Sequence, residues 1–589
     1  MISKMKKLLL AARNSEREKV LSLLKLAEAV HIEPVDPASV KLPPGLSTEI
    51  DNCAKAISIL EQIDAPENNK LVPPGTPSRL VEEILGHYRV IPELREKLNN
   101  LRREVESLSP WGQLGLDDIK YLQENGIDFK FLRGPLDKAD EIEADAYTLV
   151  RAENDLGFFV AASKTEVKAS DAFVEIDTPA RDVNAIDNEM VTLERKIEEH
   201  EDALACYILR LEDLRKHYLR LLNKKRYSEV ESGAYIDESI FVINGWIPED
   251  SVDRLQKAFD EAGLQVGMQV EDPAEEDSPP TLLKNPSWAQ AIEPLYEFMG
   301  VTPSYNEPDT SGLFLIMLSI FSAFLLADAG YGLLVFIIAA AAYFPLVKKG
   351  FDQKALKLGL FIFGAVSVYG LLTNTWFGET YKLFGNYDFD PNTQDGMVLL
   401  QGICFLMGVM HLTIGHVIKA LRKKIDITIL SEVGWIMFLW AMYGVVCSLI
   451  LKQDFVMPGT WIMPLFKASA VLILLFTAPS WNIFASIGAG LGAILQNASA
   501  CFSDIVSYIR LWAVGLAGGK VAGAFNNIAA MIPFFFFKLP VYILGHAINI
   551  ILGVIAILAH GVRLNLLEFS NHLELEWAGR KYDPYKEIK

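Results

Sequence analysis

The chain has 589 residues, 22% of them charged, and a formal net charge of -19, which is too long for one ordinary soluble domain and too acidic for a nucleic-acid partner, whose phosphates require basic surface. The charge is unevenly divided: residues 1–300 hold 36 Lys+Arg against 57 Asp+Glu, and residues 301–589 hold 19 against 17. Five cysteines (Cys53, Cys206, Cys404, Cys447, Cys501) without CxxC or Cys/His spacing argue against a disulfide framework or a zinc site, and no metal or other cofactor is expected.

From the start, Leu8 to Ala12 is the only apolar run before Arg13. A secretory core needs about 7–15 apolar residues, so no signal peptide is expected and the N-terminus should stay cytoplasmic. Residues 5–36 read as strand, helix, strand, and residues 240–270 repeat that order. Apolar runs at 129–134, 147–150, 157–162 and 173–176 suggest further strands between them, completing one or two small α/β lobes.

Residues 183–221 carry a heptad seam. Its a positions are Val183, Met190, Ile197, Leu204, Leu211 and Tyr218; its d positions are Ile186, Leu193, His200, Tyr207, Leu214 and Leu221. Only His200 breaks it, and it is expected to be a hydrogen-bonded core residue. A second helix at about 78–108 is placed to run back along the first as a coiled-coil hairpin. The helix of the seam would span about 58 Å at a rise of 1.5 Å per residue, a strut or, alternatively, a soluble dimerisation coiled coil. Residues 271–287, acidic and rich in proline, read as a linker.

Apolar runs in the second half predict eight spans, at about 311–326, 331–347, 358–377, 397–420, 433–452, 462–481, 484–528 and 541–570, since a hydrocarbon core of about 30 Å needs around 20 residues. Lys348, Lys349, Lys354 and Lys357, then Arg422, Lys423 and Lys424, then Arg580 and Lys581 all fall on the cytoplasmic side if the N-terminus is inside. The loop 378–396 falls outside, as does Asp328, expected to be a turn or capping residue.

Two arginines lie inside the last two spans, Arg510 and Arg563. An intramembrane arginine costs about 3 to over 10 kcal/mol and is a functional hypothesis by default. Back from Arg510, the residues Ser507, Ser503, Ser499 and Gln496 recur at spacings of 3 and 4 and share a helix face. In the last span His546, Asn549, Gly553, Ala556, His560 and Arg563 form a similar stripe. Two polar half-paths that each end at an arginine suit an ion route; the alternative is a polar packing seam.

At these residues the chain resembles the membrane-bound stator subunit of V/A-type rotary ATPases, subunit a or I, in its shorter bacterial or archaeal form. The resemblance rests on MKKLLLA at the start, NGWIPED (244–250), SPPTLLKN (278–285), LLADAGYGLL (325–334), TWFGET (375–380), SDIVSYIRLWAVGLA (503–517) and HGVRLNLLEF (560–569). It implies a multidomain membrane protein: cytoplasmic α/β lobes and a coiled-coil arm at 1–277, a linker and membrane-entry segment at 278–310, an all-α ion-path domain of about eight transmembrane helices at 311–570, and a cytoplasmic tail at 571–589. It implies as partners a proteolipid rotor ring, peripheral-stalk subunits, a central-stalk subunit and the lipid bilayer. Arg510 and Arg563 would drive ion release from ring carboxylates; Glu568 and Ser503 would belong to the cytoplasmic path, and His560 would lie near the outer one. Many proton-pumping relatives carry a histidine eight residues after the first arginine, where this chain has Gly518, so His546 or water is expected to serve there. Whether H⁺ or Na⁺ moves is left open. The chain has no GxxxxGK[ST] phosphate loop, so no nucleotide site is expected on it. A secondary transporter or channel with a regulatory coiled coil is the rival reading; it predicts internal repeats, and none is evident between 311–450 and 451–589.

Overall fold

Apolar residues spaced by 3 and 4 build the helices of the soluble portion. The computed structural model describes residues 1–63, 74–108, 111, 116–153, 155–176, 183–381, 393–423 and 426–588. The heptad seam forms a helix at Val183–Tyr207, a 3₁₀ turn at Ile208–Arg210 and a second helix at Leu211–Gly233. The helix Pro77–Leu108 packs along the first of these. Its direction is antiparallel, because Glu83 meets Tyr207, His87 meets His200 and Arg102 meets Glu194. Ile84, Ile91 and Leu98 bury with Ile186, Leu193, Ile197 and Leu204. A helix not anticipated from the sequence, Leu46–Leu60, adds Ile50, Cys53 and Ala56 to the same core and packs on Leu211–Gly233.

His200 is bonded as expected: its Nδ1 lies 2.7 Å from His87 Nδ1. Burial, and then the neighbouring charge of His200, hold His87 below its ordinary value of 6.5.

Both strand–helix–strand segments form, as Met5–Arg13, Arg17–Ala27 and His31–Glu33, and as Ile240–Pro248, Val252–Glu261 and Val266–Glu271. Between them lies an antiparallel sheet in the order Ala146–Glu153, Leu156–Ser163, Asp128–Pro135, Val174–Ile176.

The chain divides into two compact units, Met1–Leu10 with Ala27–His31 and Gly245–Tyr585, and Ala11–Leu26 with Ile32–Asn244 and Lys586–Lys589. The second holds the coiled coil. The first is the membrane unit, and among the described residues seven of its helices are long and apolar enough to cross a bilayer, with the 16-residue Ser311–Leu326 shorter than these. The others are Ala329–Lys348, Gln353–Leu372, Gln394–Arg422, Ile429–Leu451, Gly459–Phe476, Ile483–Met531 and Phe535–Leu573.

Three details differ from the sequence expectation. The span expected to reach 377 stops at Leu372, and Thr375–Trp376 pairs with Glu379–Thr380 across a two-residue turn. Phe377 and Gly378 have φ of 51° and 80°, the left-handed pair that a tight hairpin demands. Next, the run Ile483–Met531 is broken at Tyr508 into two helices. Its 49 residues would extend for about 74 Å, so it cannot stand upright in a core of about 30 Å. Finally, the last helix passes through wide π turns at Ile557–Gly561 and Leu564–Phe569. Lys424 and residues 382–392 of the acidic loop lie outside the described residues.

Asp328 has the capping role its position suggested. It is the N-cap of Ala329–Lys348, and its Oδ1 accepts from the backbone N–H of Tyr331 (3.1 Å) and Phe377 (2.9 Å). Its Oδ2 accepts from Gly378 N–H at 2.7 Å. One buried carboxylate thus ties the turn between two helices to the hairpin.

Candidate functional site

The site is built where the last two apolar runs, Ile483–Met531 and Phe535–Leu573, meet. Gly515, on Ile509–Met531, sits against Ser311–Leu326 so closely that a Cβ there would lie 2.2 Å from the Phe324 carbonyl oxygen. That contact sets the helix bearing Arg510 directly against the bundle. Arg510 Nε donates to the Ser507 carbonyl at 3.0 Å, and its terminal nitrogen donates to Glu568 Oε1 at 2.5 Å. Arg563 Nε lies 3.6 Å from the same oxygen. The two arginines therefore converge on one carboxylate.

The side chains of Glu568, Arg510 and Arg563 are 5%, 24% and 53% exposed. Two guanidinium charges against one carboxylate leave an excess positive charge, and it lies at the exposed member. The π turn explains how Arg563 reaches Glu568. In an α-helix residues five apart point about 140° away from each other, whereas the wider π turn, bonded i→i+5, brings them much closer to one face.

The stripe behind Arg510 is open. Gln496, Ser499 and Ser503 are exposed and Ser507 is partly so, so these hydroxyl and amide groups are not buried in a helix contact. The other stripe is mixed. Asn549 is buried and its amide donates to Tyr331 Oη at 3.2 Å, while His546 Nδ1 lies 2.8 Å from the same hydroxyl. A Cβ on Gly553 would meet Leu326 at 2.2 Å. This part of the stripe packs against neighbouring helices, whereas His560 is partly exposed in the π turn before Arg563.

Sequence reasoning missed two features. Tyr508, fully buried at the helix break, lies with its hydroxyl 2.8 Å from His411 Nδ1, and His411 stacks on Phe569 at 4.4 Å. Beyond Arg510 a cavity of about 450 Å³ is lined by Thr373, Thr375, Glu379, Lys520 and Asn527 among others. Gly515, Gly519 and Gly523, spaced by four around Lys520, were its visible signal. Among the described residues no group of three or more His, Cys, Asp or Glu side chains is placed to hold a metal ion.

These features define a class: a multi-pass membrane protein whose bilayer-length helices bring two arginines to one buried carboxylate, joined to a soluble portion of coiled coil and α/β lobes. The particular likeness is to subunit I of V-type and A-type ATP synthases, and it runs the length of the chain. The chain is 28% identical over 626 residues to the V-type ATP synthase subunit I of Borreliella burgdorferi, covering 100% of both chains. It is also 28% identical over 646 residues to V-type ATP synthase subunit I 1 of Treponema pallidum, again covering 100% of both. Against the A-type ATP synthase subunit I of Pyrococcus horikoshii, identity is 24% over 400 residues, covering 62% of this chain and 57% of the relative. A crystal structure of the cytoplasmic N-terminal domain of subunit I, described as a homolog of subunit a of V-ATPase, matches 45% of this chain and 99% of its own at 16% identity and a TM-score of 0.22. No family model matches.

Proposed function

We propose that this chain is the membrane stator subunit of a V/A-type rotary ATPase and that its two arginines strip ions from carboxylates carried past them by a proteolipid ring. The observation that carries this reading is the excess positive charge of the Arg510–Glu568–Arg563 group, set in membrane-length apolar helices beside an exposed polar stripe.

Arginine keeps its proton, so it does not relay one itself. It acts by favouring the charged form of an approaching acid, and each pKa unit of such a shift is worth about 1.4 kcal/mol. A loaded ring carboxyl arriving from lipid gives up its ion beside Arg563 and Arg510, then reloads after passing them. Gln496, Ser499, Ser503 and Ser507 provide the half-path on the cytoplasmic side. The outer half-path lies toward His560, His546 and Asn549, with the cavity around Lys520 and Glu379 as its mouth. The fixed positive charge also blocks a leak of cations from one half-path to the other. Glu568 limits that charge, so that a passing carboxylate is attracted without being trapped.

In this reading both termini are cytoplasmic, the coiled coil holds the peripheral stalks and contacts the central stalk, and nucleotide chemistry occurs on other subunits. The test is Arg510→Gln in the assembled complex, reconstituted in vesicles. Transport driven by ATP should fall at least about 100-fold, in line with the loss of a preorganised charge, while the subunits still co-purify. Normal transport by that variant would falsify the proposed role.

A further inference from the structure

Away from the arginines, four titratable side chains from four separate segments form one row. Glu432, on the helix Ile429–Val446, accepts at Oε2 from His416 Nδ1 at 2.8 Å. His416 Nε2 lies 3.0 Å from His572 Nδ1, and His572 Nε2 lies 3.1 Å from Asp504 Oδ2. The side chains of Glu432, His416, His572 and Asp504 are only 3%, 6%, 8% and 15% exposed. At the Glu432 end, Lys423 donates to Oε1 at 2.7 Å and Lys419 lies at 3.3 Å, itself paired with Glu574. Trp435 stacks on the His416 ring. His411, five residues earlier on the helix of His416, lies against Tyr508 and Phe569.

Counting protons gives the row a function. Its three hydrogen bonds need three protons. Two neutral imidazoles bring one each, and two ionised carboxylates bring none. The intact row therefore holds one proton more than its neutral rings and ionised acids supply. When that proton leaves, one link sets two lone pairs face to face. The longest link, with the most exposed partner, is Asp504–His572. The ammonium groups of Lys419 and Lys423 repel a proton from the Glu432 end and hold it toward Asp504.

We propose that this row is a one-proton store that loads and unloads through Asp504 into the path beside Ser503 and Ser507, and hence that the ion this subunit passes is H⁺. The proposal rests on the stator reading above and names its cargo. On release the proton leaves the His572 Nε2–Asp504 Oδ2 link for a water in the path, and the carboxylate is left facing a bare His572 Nε2. Refilling is the reverse, and neither ring needs to change its tautomer. His416 and Glu432 are positioning residues: they hold the His572 ring so that its Nε2 stays aimed at Asp504.

The test uses the whole complex in vesicles, with ATP-driven proton uptake followed between pH 6 and 9. His572→Gln and Asp504→Asn should assemble, keep ATP hydrolysis by the soluble sector and lose uptake at the alkaline end by about tenfold, a modest share of what a positioned acid–base group contributes. Uptake should recover toward pH 6, where free protons are plentiful, and Asp504→Glu should restore the profile. Unchanged rate and pH profile in both variants overturns the store, and so does ²²Na⁺ uptake that ignores them. If His572→Gln does not assemble, Asp504→Asn, which keeps size and a hydrogen bond, carries the test. An infrared titration of the intact complex must also show one proton held in the His572–Asp504 link that Asp504→Asn removes; its absence is equally fatal. The two readings fail separately: Arg510→Gln without effect sinks the stator, whereas an inactive Arg510→Gln beside normal row variants sinks the store alone.

Discussion

The two units put their charges in opposite places. In the coiled-coil unit the apolar seam is inside and the ion pairs are outside, with Arg95–Glu201 61% and 46% exposed and Arg102–Glu194 53% and 48%. In the membrane unit large apolar side chains face outward, such as Leu495 at 74% and Phe536 at 86%, and the carboxylates of Asp328, Glu432 and Glu568 are buried inside. Water drives the first arrangement by expelling apolar surface. Lipid tails give no such drive, and there the polar groups gather inward to find each other. What a charged residue is worth follows from its place in the chain's surroundings, not from its type.

Substitution can break or sharpen this contrast. The largest effect on stability is expected at Glu432, which holds His416, Lys419 and Lys423 together. Glu432→Ala should destabilise the membrane unit by about 3 kcal/mol or more, as removing one partner of a buried group does; a detergent melt reading no loss contradicts the burial argument. Asp328→Ala should have an effect of the same order. It strands three backbone N–H groups at a cost on the order of 1–3 kcal/mol each, and Asp328→Asn, which keeps one acceptor oxygen, should cost visibly less in the same melt. Glu201→Ala, the exposed counterpart, should change stability by about 0.5 kcal/mol. A loss as large as that of Glu432→Ala would erase the distinction between the units.

The smallest effect is one of pH. The unfolded chain protonates His87 near 6.5 while the folded coiled coil resists it, so the unfolded state binds more protons below that value. The stability contributed by neutral His87 is present above pH 6.5 and declines as pH falls. Hydrogen exchange of the 193–207 amides, corrected for intrinsic rates, should quicken between pH 7.5 and 5.5, and His87→Leu should flatten the trend.

Much of the fold could be read from one-dimensional patterns. The seam from Ile186 to Leu221 was legible because each heptad repeats the same choice, and the bilayer helices because their apolar runs are long. The 3₁₀ turn at Ile208–Arg210 was hidden, since the heptad runs straight through it. Leu46–Leu60 was missed because its apolar face is short and carries only the small Cys53 and Ala56 at its middle. The break at Tyr508 has no proline or glycine to announce it. At the site, Arg510 and Arg563 stood out by the cost of a charge among apolar neighbours. Their meeting at Glu568 did not, because spacing rules assumed an α-helix where the chain makes a π turn. The Asp504–His572–His416–Glu432 row joins residues far apart in sequence, and no periodicity links them.

Each wide turn flanking Arg563 is a helix carrying a spare residue. Such slack can travel along a helix one peptide at a time, by exchange of hydrogen-bond partners, while both ends stay anchored. Passage across Arg563 would swing its side chain through about 100° with Asn549 and Ser570 left in place. Arg510, just after the break at Tyr508, lies outside the π turns and is tied to the Ser507 carbonyl and Glu568. In the stator reading, one cation of the pair would be a fixed post and the other would ride on a sliding turn.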